Sequence, residues 1–189
     1  MKMNIPISFR KSIIALSVIL SSPIGAFENS LSSITGVDLK SMKSLNFDLD
    51  KNTVLAFVSS RCPCSQSHEE ILSKLANEFA DFNFVGIHSN SDEPLSEAQN
   101  YFKHSKISFP IISDPKSTIA DKFRALKTPH VFVIASKQIL YSGGITNTSH
   151  APNSTKNYLR DVLVKIRNGS KEITPPTRTL GCQISRPNN

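Results

Sequence analysis

Beyond residue 26 the 189-residue chain has no apolar stretch approaching the roughly 18 residues of a membrane span. It also lacks a glycine-rich phosphate loop and a pair of carboxylates spaced for hydrolysis, which sets aside nucleotide-driven and hydrolytic chemistry. Neither internal repeats nor low-complexity segments occur, so solenoids and flexible arrays are excluded. A dominant charge is missing too. The surplus of +7 is spread along the chain and gives nucleic acid no footing.

The first residues carry an address. Lys2, Arg10 and Lys11 precede an apolar run at residues 12–20, and Ser21-Ser22-Pro23-Ile24-Gly25-Ala26 supplies small residues and a breaker. That is the layout of a secretory signal spanning residues 1–26, which implies a periplasmic or secreted protein. Ile24 is larger than the residue usual three positions before the cut, and an uncleaved signal would add a membrane contact. Cleavage after Ala26 leaves residues 27–189, enough for one domain with a sizeable core, and lowers the charge to about +4. All three cysteines, Cys62, Cys64 and Cys182, fall in this exported part, where disulfides are expected. Their odd number leaves one thiol to explain.

Hydrophobic patterning predicts the order of elements. Residues 27–52 form a polar extension with the pattern of a loop or weak hairpin. Thr53 to Val58 is a continuous apolar run, as in a strand covered on both faces. Ile71, Leu72, Leu75 and Phe79 then recur at helical spacing and predict a helix over about 64–80. Further signals place a strand at 82–87, a helix across Leu95 to Phe102, and a short extended piece at 109–112. A third helix is expected with Ile119, Ala120, Phe123 and Leu126 on its apolar stripe. Strands at 131–134 and 139–141 follow, joined as a hairpin, and a last helix over about 154–166. The pattern predicts an α/β domain over 53–167, a mixed sheet with helices on both faces, followed by a tail at 168–189 carrying Cys182.

The segment Ser59-Ser60-Arg61-Cys62-Pro63-Cys64 lies where the apolar strand ends and the helix begins. The first turn of a helix favours a thiolate through its unpaired N–H groups and dipole. Arg61 is expected to add a positive charge there, and Pro63 suits a first helical position because its missing N–H costs nothing. Cys62 is expected to be the more exposed, attacking thiol, with Cys64 resolving. His68, one helical turn after Cys64, either shares a proton with that thiol or stands solvated. Gly181 permits a tight turn before Cys182, and a tail of this length could bring Cys182 to the pair as a resolving thiol or a disulfide clamp.

Four segments carry a family resemblance: Leu55-Ala56-Phe57-Val58-Ser59-Ser60-Arg61-Cys62-Pro63-Cys64, Ser108-Phe109-Pro110-Ile111-Ile112-Ser113-Asp114, Leu126-Lys127-Thr128-Pro129-His130-Val131-Phe132-Val133-Ile134 and Gln138-Ile139-Leu140-Tyr141-Ser142-Gly143-Gly144. In this order they resemble the thioredoxin-like redoxins, above all the TlpA/ResA and AhpC/TSA groups of exported bacterial redoxins. The resemblance implies the thioredoxin fold, a cis proline at Pro129 facing the cysteines, and Thr128 and Pro63 bordering an extended substrate or partner. It implies no cofactor. The activity implied is thiol–disulfide exchange with exported proteins bearing thiols or disulfides, completed by a redox partner.

Departures from the family pattern keep other readings open. Only Pro63 separates the two cysteines, where two residues are usual, and the buried acid of thioredoxin would fall at Ala56, so any base comes from elsewhere. Peroxide reduction is the alternative, although Leu55 and Ser59 stand where the peroxidatic motif has proline and threonine. Copper delivery, as by Sco proteins, would use two cysteines and a histidine. That family spaces its cysteines more widely and places the histidine near Thr128 rather than at His130. A Cys62–Cys64 bridge over so short a spacing is strained, and strain raises the reduction potential. A relatively oxidising couple is therefore expected in redox titration; a value at the strongly reducing end of the thioredoxin range contradicts it.

Overall fold

The computed structural model describes Met1 and residues 32–188. The expected signal at 1–26 lies almost wholly outside the described residues. The chain folds in the order β1 (Ser33–Val37), β2 (Ser44–Asp48), β3 (Thr53–Phe57), α1 (Pro63–Glu78), β4 (Asn83–His88), α2 (Leu95–His104), β5 (Ile111–Ser113), α3 (Thr118–Phe123), β6 (Lys127–Thr128), β7 (His130–Ala135), β8 (Gln138–Gly143), α4 (Tyr158–Arg167) and β9 (Cys182–Gln183).

The apolar run at β3 is buried throughout because it is the middle strand of a five-stranded sheet ordered β5-β4-β3-β7-β8. β4 runs parallel to β3, and β7 antiparallel to it. Side chains alternate across the sheet as strand geometry requires. Val54, Ala56 and Val58 join Leu72 and Leu75 of α1, Phe79 just after it, Phe102 of α2 and Leu159, Val162 and Leu163 of α4. Leu55 and Phe57 face the other way, into a second cluster with Ile34, Leu49, Phe123, Phe132 and Ile184. Helices therefore cover both faces of a mixed sheet, the thioredoxin-like architecture expected.

Both flanking segments belong to this body. β1 and β2 form an antiparallel hairpin, and its Ile34 is buried in the second cluster. Just beyond β1, Asp38 accepts the Ile111 N–H at 2.9 Å, which binds the hairpin to the edge strand β5. The C-terminal tail runs back over the sheet: Thr174 N–H donates to the Leu140 carbonyl at 2.8 Å, and Ile184 is buried.

Three local readings change. α3 stops at Phe123 because Arg124 takes a left-handed conformation (φ 53°), so Leu126 lies beyond the helix and is exposed. α4 starts at Tyr158, not 154. A short 3-10 turn at Ala151–Asn153 precedes it, and the Asn157 side chain caps it by accepting the Arg160 N–H at 3.0 Å. Gly181 is required by proximity rather than by a left-handed turn, since a Cβ there would sit 1.9 Å from the Thr128 carbonyl oxygen.

Phe57 is fully buried and meets Phe132 edge-on, with ring centroids 5.7 Å apart, and Phe123 at 6.3 Å. Phe57→Ala should therefore lose about 3–5 kcal/mol in chemical denaturation. A loss below about 1 kcal/mol would mean that the second cluster is not a packed core.

Candidate functional site

The site forms where β3 ends and α1 begins. Cys62 is the N-cap of α1, Pro63 the first helical residue and Cys64 the second. Opposite them the Thr128–Pro129 peptide is cis, and the Thr128 carbonyl lies 3.1 Å from Cys62 Sγ as its acceptor. The tail brings the third cysteine: β9 pairs antiparallel with β6, Cys182 opposite Thr128 and Gln183 opposite Lys127. The three sulfurs lie within 4.8 Å of one another. Two come from one helix turn and the third from 118 residues further along the chain.

The surroundings distribute charge unequally among these thiols. Burial alone would raise the Cys62 pKa. Hydrogen bonds from the Cys182 thiol, the Thr128 hydroxyl and the Ser65 and Cys182 N–H groups outweigh it, so the net shift is downward. Cys64 is pushed up by burial and by the Cys62 charge beside it. Cys182 is pushed up to about 12 by burial, then by the bond it gives Cys62 and by that residue's charge. Of the three sulfurs, Cys62 is therefore the one whose ionised form the site favours, while Cys64 and Cys182 hold their protons more tightly.

The expected exposure of Cys62 is corrected. Its relative exposure is 1%, whereas Cys64 and Cys182 are half-buried. The N-cap position turns the Cys62 side chain inward under the tail, while Cys64 sits on the outer side of the first turn. Arg61 is also placed differently from expectation. Its guanidinium is drawn to Glu97 at 2.6 and 2.8 Å and donates to the Asp92 carbonyl at 3.1 Å. It braces the loop against α2 and is absent from the groups that shift Cys62.

His68 neither meets the Cys64 thiol nor stands in solvent. It is buried, with Nδ1 2.8 Å from the Cys64 carbonyl and Nε2 2.8 Å from Thr146 Oγ1, and burial depresses its pKa. His130 opens β7 with Nε2 3.0 Å from Ser142 Oγ, and burial lowers its pKa to about 4. The histidine-containing copper set considered above is therefore not assembled. The donors that converge are the three sulfurs, a set suited in type to a soft cation.

A buried acid missing from the sequence reading supports the loop from beneath. Glu93, from the turn after β4, accepts hydrogen bonds from Ser59 Oγ, from the Ser60 N–H at 2.9 Å and from Ser60 Oγ at 2.5 Å. His88 Nε2 lies 2.9 Å from its Oε2. Ser59 Oγ in turn accepts the Cys62 N–H at 3.0 Å and the Arg61 N–H at 3.2 Å. Burial would raise the Glu93 pKa; the bonds from His88, Ser59 and Ser60 override it and bring it down to about 2. The only hints in the sequence were a polar histidine ending an apolar strand and two serines before Cys62. Neither named Glu93, because the contact spans 34 residues.

A fold of this kind with cysteines at the first helix and a cis proline opposite defines a thioredoxin-fold redox protein. The comparisons make the assignment narrower. The model of the AhpC/TSA family matches residues 26–142, and the chain belongs to that family. A hypothetical protein of Sinorhizobium meliloti 1021 is similar in structure, with TM-score 0.73 at 22% identity over 84% of this chain and 93% of that one. An uncharacterized conserved protein of Geobacillus kaustophilus gives TM-score 0.71 at 19% identity over 83% and 90%. The thioredoxin domain of a thiol-disulfide oxidoreductase from Bacteroides vulgatus gives TM-score 0.52 at 16% identity over 72% and 91%. A search of curated protein sequences finds no significant match.

The low pKa of Glu93 fixes a pH dependence. A carboxyl held below its unfolded value of about 4.3 contributes stability at higher pH and loses it as pH falls toward 2. Glu93→Gln should remove roughly 3 kcal/mol of that acid-side slope in unfolding measured between pH 5 and 2. Identical slopes in the two proteins would show that Glu93 is not held ionised by the loop.

Proposed function

We propose that the protein is a thiol–disulfide oxidoreductase acting on exported protein partners through Cys62. The observation that carries this reading is the sulfur of Cys62. It is the low-pKa member of three clustered thiols, set at a helix N-terminus and facing the carbonyl beside the cis proline. Family membership supports thiol-based redox chemistry in general.

In the reductive direction the Cys62 thiolate attacks one sulfur of a partner disulfide. The partner S–S bond breaks, a Cys62–partner bond forms, and the leaving thiolate takes a proton. A neighbouring thiol, Cys64 or Cys182, then gives up its proton and attacks Cys62 Sγ, releasing the partner as a dithiol. Two electrons pass to the partner and one disulfide remains here. Thiol–disulfide exchange with a redox partner in the same compartment restores the starting state, and the reverse sequence oxidises. The expected secretory signal places these events in the periplasm or outside the cell, and this chemistry needs no cofactor.

Peroxide reduction would start from the same thiolate, with sulfenic acid on Cys62 resolved by Cys64 or Cys182. Leu55 and Ser59 at the peroxidatic positions weigh against it. The two activities separate in parallel assays. Catalysed reduction of insulin disulfides is expected to exceed steady peroxide turnover, and Cys62→Ser should cut it by about a hundredfold or more. Peroxide turnover without disulfide exchange would reverse the assignment.

A further inference from the structure

Thr128 does two things at once: its carbonyl touches Cys62 Sγ, and its backbone pairs with a strand that carries a cysteine opposite it. The strand is the protein's own tail. We infer that residues 181–186 are a resident stand-in for the partner's extended segment, and that this edge takes a partner cysteine preceded by glycine and followed two positions later by an aliphatic residue. The inference rests on the reading of Cys62 as the exchanging thiol and names the substrate class for it.

Access requires it first. With Cys62 only 1% exposed, a partner disulfide reaches its sulfur only when the covering segment leaves. The attachments of that segment are of a kind that an external peptide can reproduce. The ladder of β9 continues through the Ile184 N–H to the Leu126 carbonyl at 2.9 Å, and the Ile184 side chain enters the cluster holding Phe57, Phe123 and Ala125. Arg186 reaches Asp121 and the Ala125 carbonyl, both at 2.8 Å, and Ser185 bonds Asp92. These last contacts lie on the exposed rim, where ion pairs hold weakly.

The residue before the cysteine is dictated by space. A Cβ at position 181 would lie 1.9 Å from the Thr128 carbonyl oxygen, 2.7 Å from its carbon and 3.2 Å from Pro129 Cδ. Those atoms are backbone and a proline ring, which cannot swing aside. Any occupant pairing in this register meets the same wall, so side chains larger than hydrogen are rejected there. Two residues beyond the cysteine, the buried site of Ile184 rewards an aliphatic side chain.

The tail can leave without unravelling the domain. Upstream, Thr177 is fastened separately: its Oγ1 lies 2.5 Å from the Tyr141 hydroxyl and accepts the Gly144 N–H at 3.0 Å. Residues 178–180 link this anchor to β9 and form no regular element. Release of β9 therefore moves the segment that carries Cys182 while Thr177 stays fastened.

The test uses the full chain, reduced, and three synthetic nonapeptides whose cysteine is capped as a mixed disulfide with glutathione. One copies residues 178–186; one has valine in place of its glycine; one has serine in place of its isoleucine. Glutathione release in a single turnover is the readout. Gly181→Val and, through a different contact, Ile184→Ser should each release the tail and speed reaction with the copy peptide about tenfold over the unaltered chain. On Gly181→Val protein the copy should outrun the valine peptide by about tenfold or more and the serine peptide by several-fold. Unchanged rates in both variants, or equal rates for the three peptides, overturn the inference while leaving exchange at Cys62 standing. Failure of every protein to exchange with the copy peptide or with oxidised glutathione would instead sink the proposed function.

Discussion

Of the three sulfurs gathered at the N-terminus of α1, Cys62 is the one whose charged form the surroundings favour, and the rest of the site is arranged around that constraint. The Cys182 thiol first, then the Thr128 side chain and the Ser65 and Cys182 N–H groups, outweigh burial, which would otherwise keep this thiol neutral. Once Cys62 is ionised, its charge raises the pKa of both neighbours, Cys64 and Cys182. The three thiols are therefore not equivalent. In the proposed exchange Cys62 attacks, and a bond formed on Cys62 would remove the charge that, together with burial, holds the other two thiols protonated. The order of events in an exchange reaction follows from that electrostatic coupling.

Two supports keep the sulfur in place. Beneath it, Glu93 gathers Ser59, Ser60 and His88 into a buried network that fixes the loop between β3 and α1. Such a network is costly when half-satisfied and rigid when complete, and here both carboxylate oxygens have partners. Above it, the β6–β9 pairing closes the site with the protein's own chain. The acid that thioredoxin keeps near its cysteines is replaced by Ala56, and Glu93 does not take over its proton-transfer role directly, since it reaches Cys62 only through Ser59.

Much of this was legible in the residues and some was not, for physical reasons. The strand β3 and the helix α1 are read from local periodicity, because their apolar residues face partners whatever those partners are. The cysteine pair at their junction and the proline at 129 were likewise visible. Contacts that join distant segments leave no local trace: Glu93 sits in a polar turn indistinguishable from a solvated one, and Leu126 continues a helical stripe that a left-handed Arg124 interrupts. The exposure of Cys62 was misread because the tail that covers it arrives from 120 residues away. Gly181 was noticed for its freedom of rotation, whereas its missing side chain is what the structure uses.

The measurement closest to the central claim is a thiolate titration of the fully reduced protein by ultraviolet absorbance near 240 nm, compared with Cys62→Ser. One thiolate per molecule should appear below the ordinary cysteine pKa of about 8.5, well before the other two, and that early step should vanish in the variant. An early step that survives in Cys62→Ser, or three thiols titrating together at the ordinary value, would contradict the account.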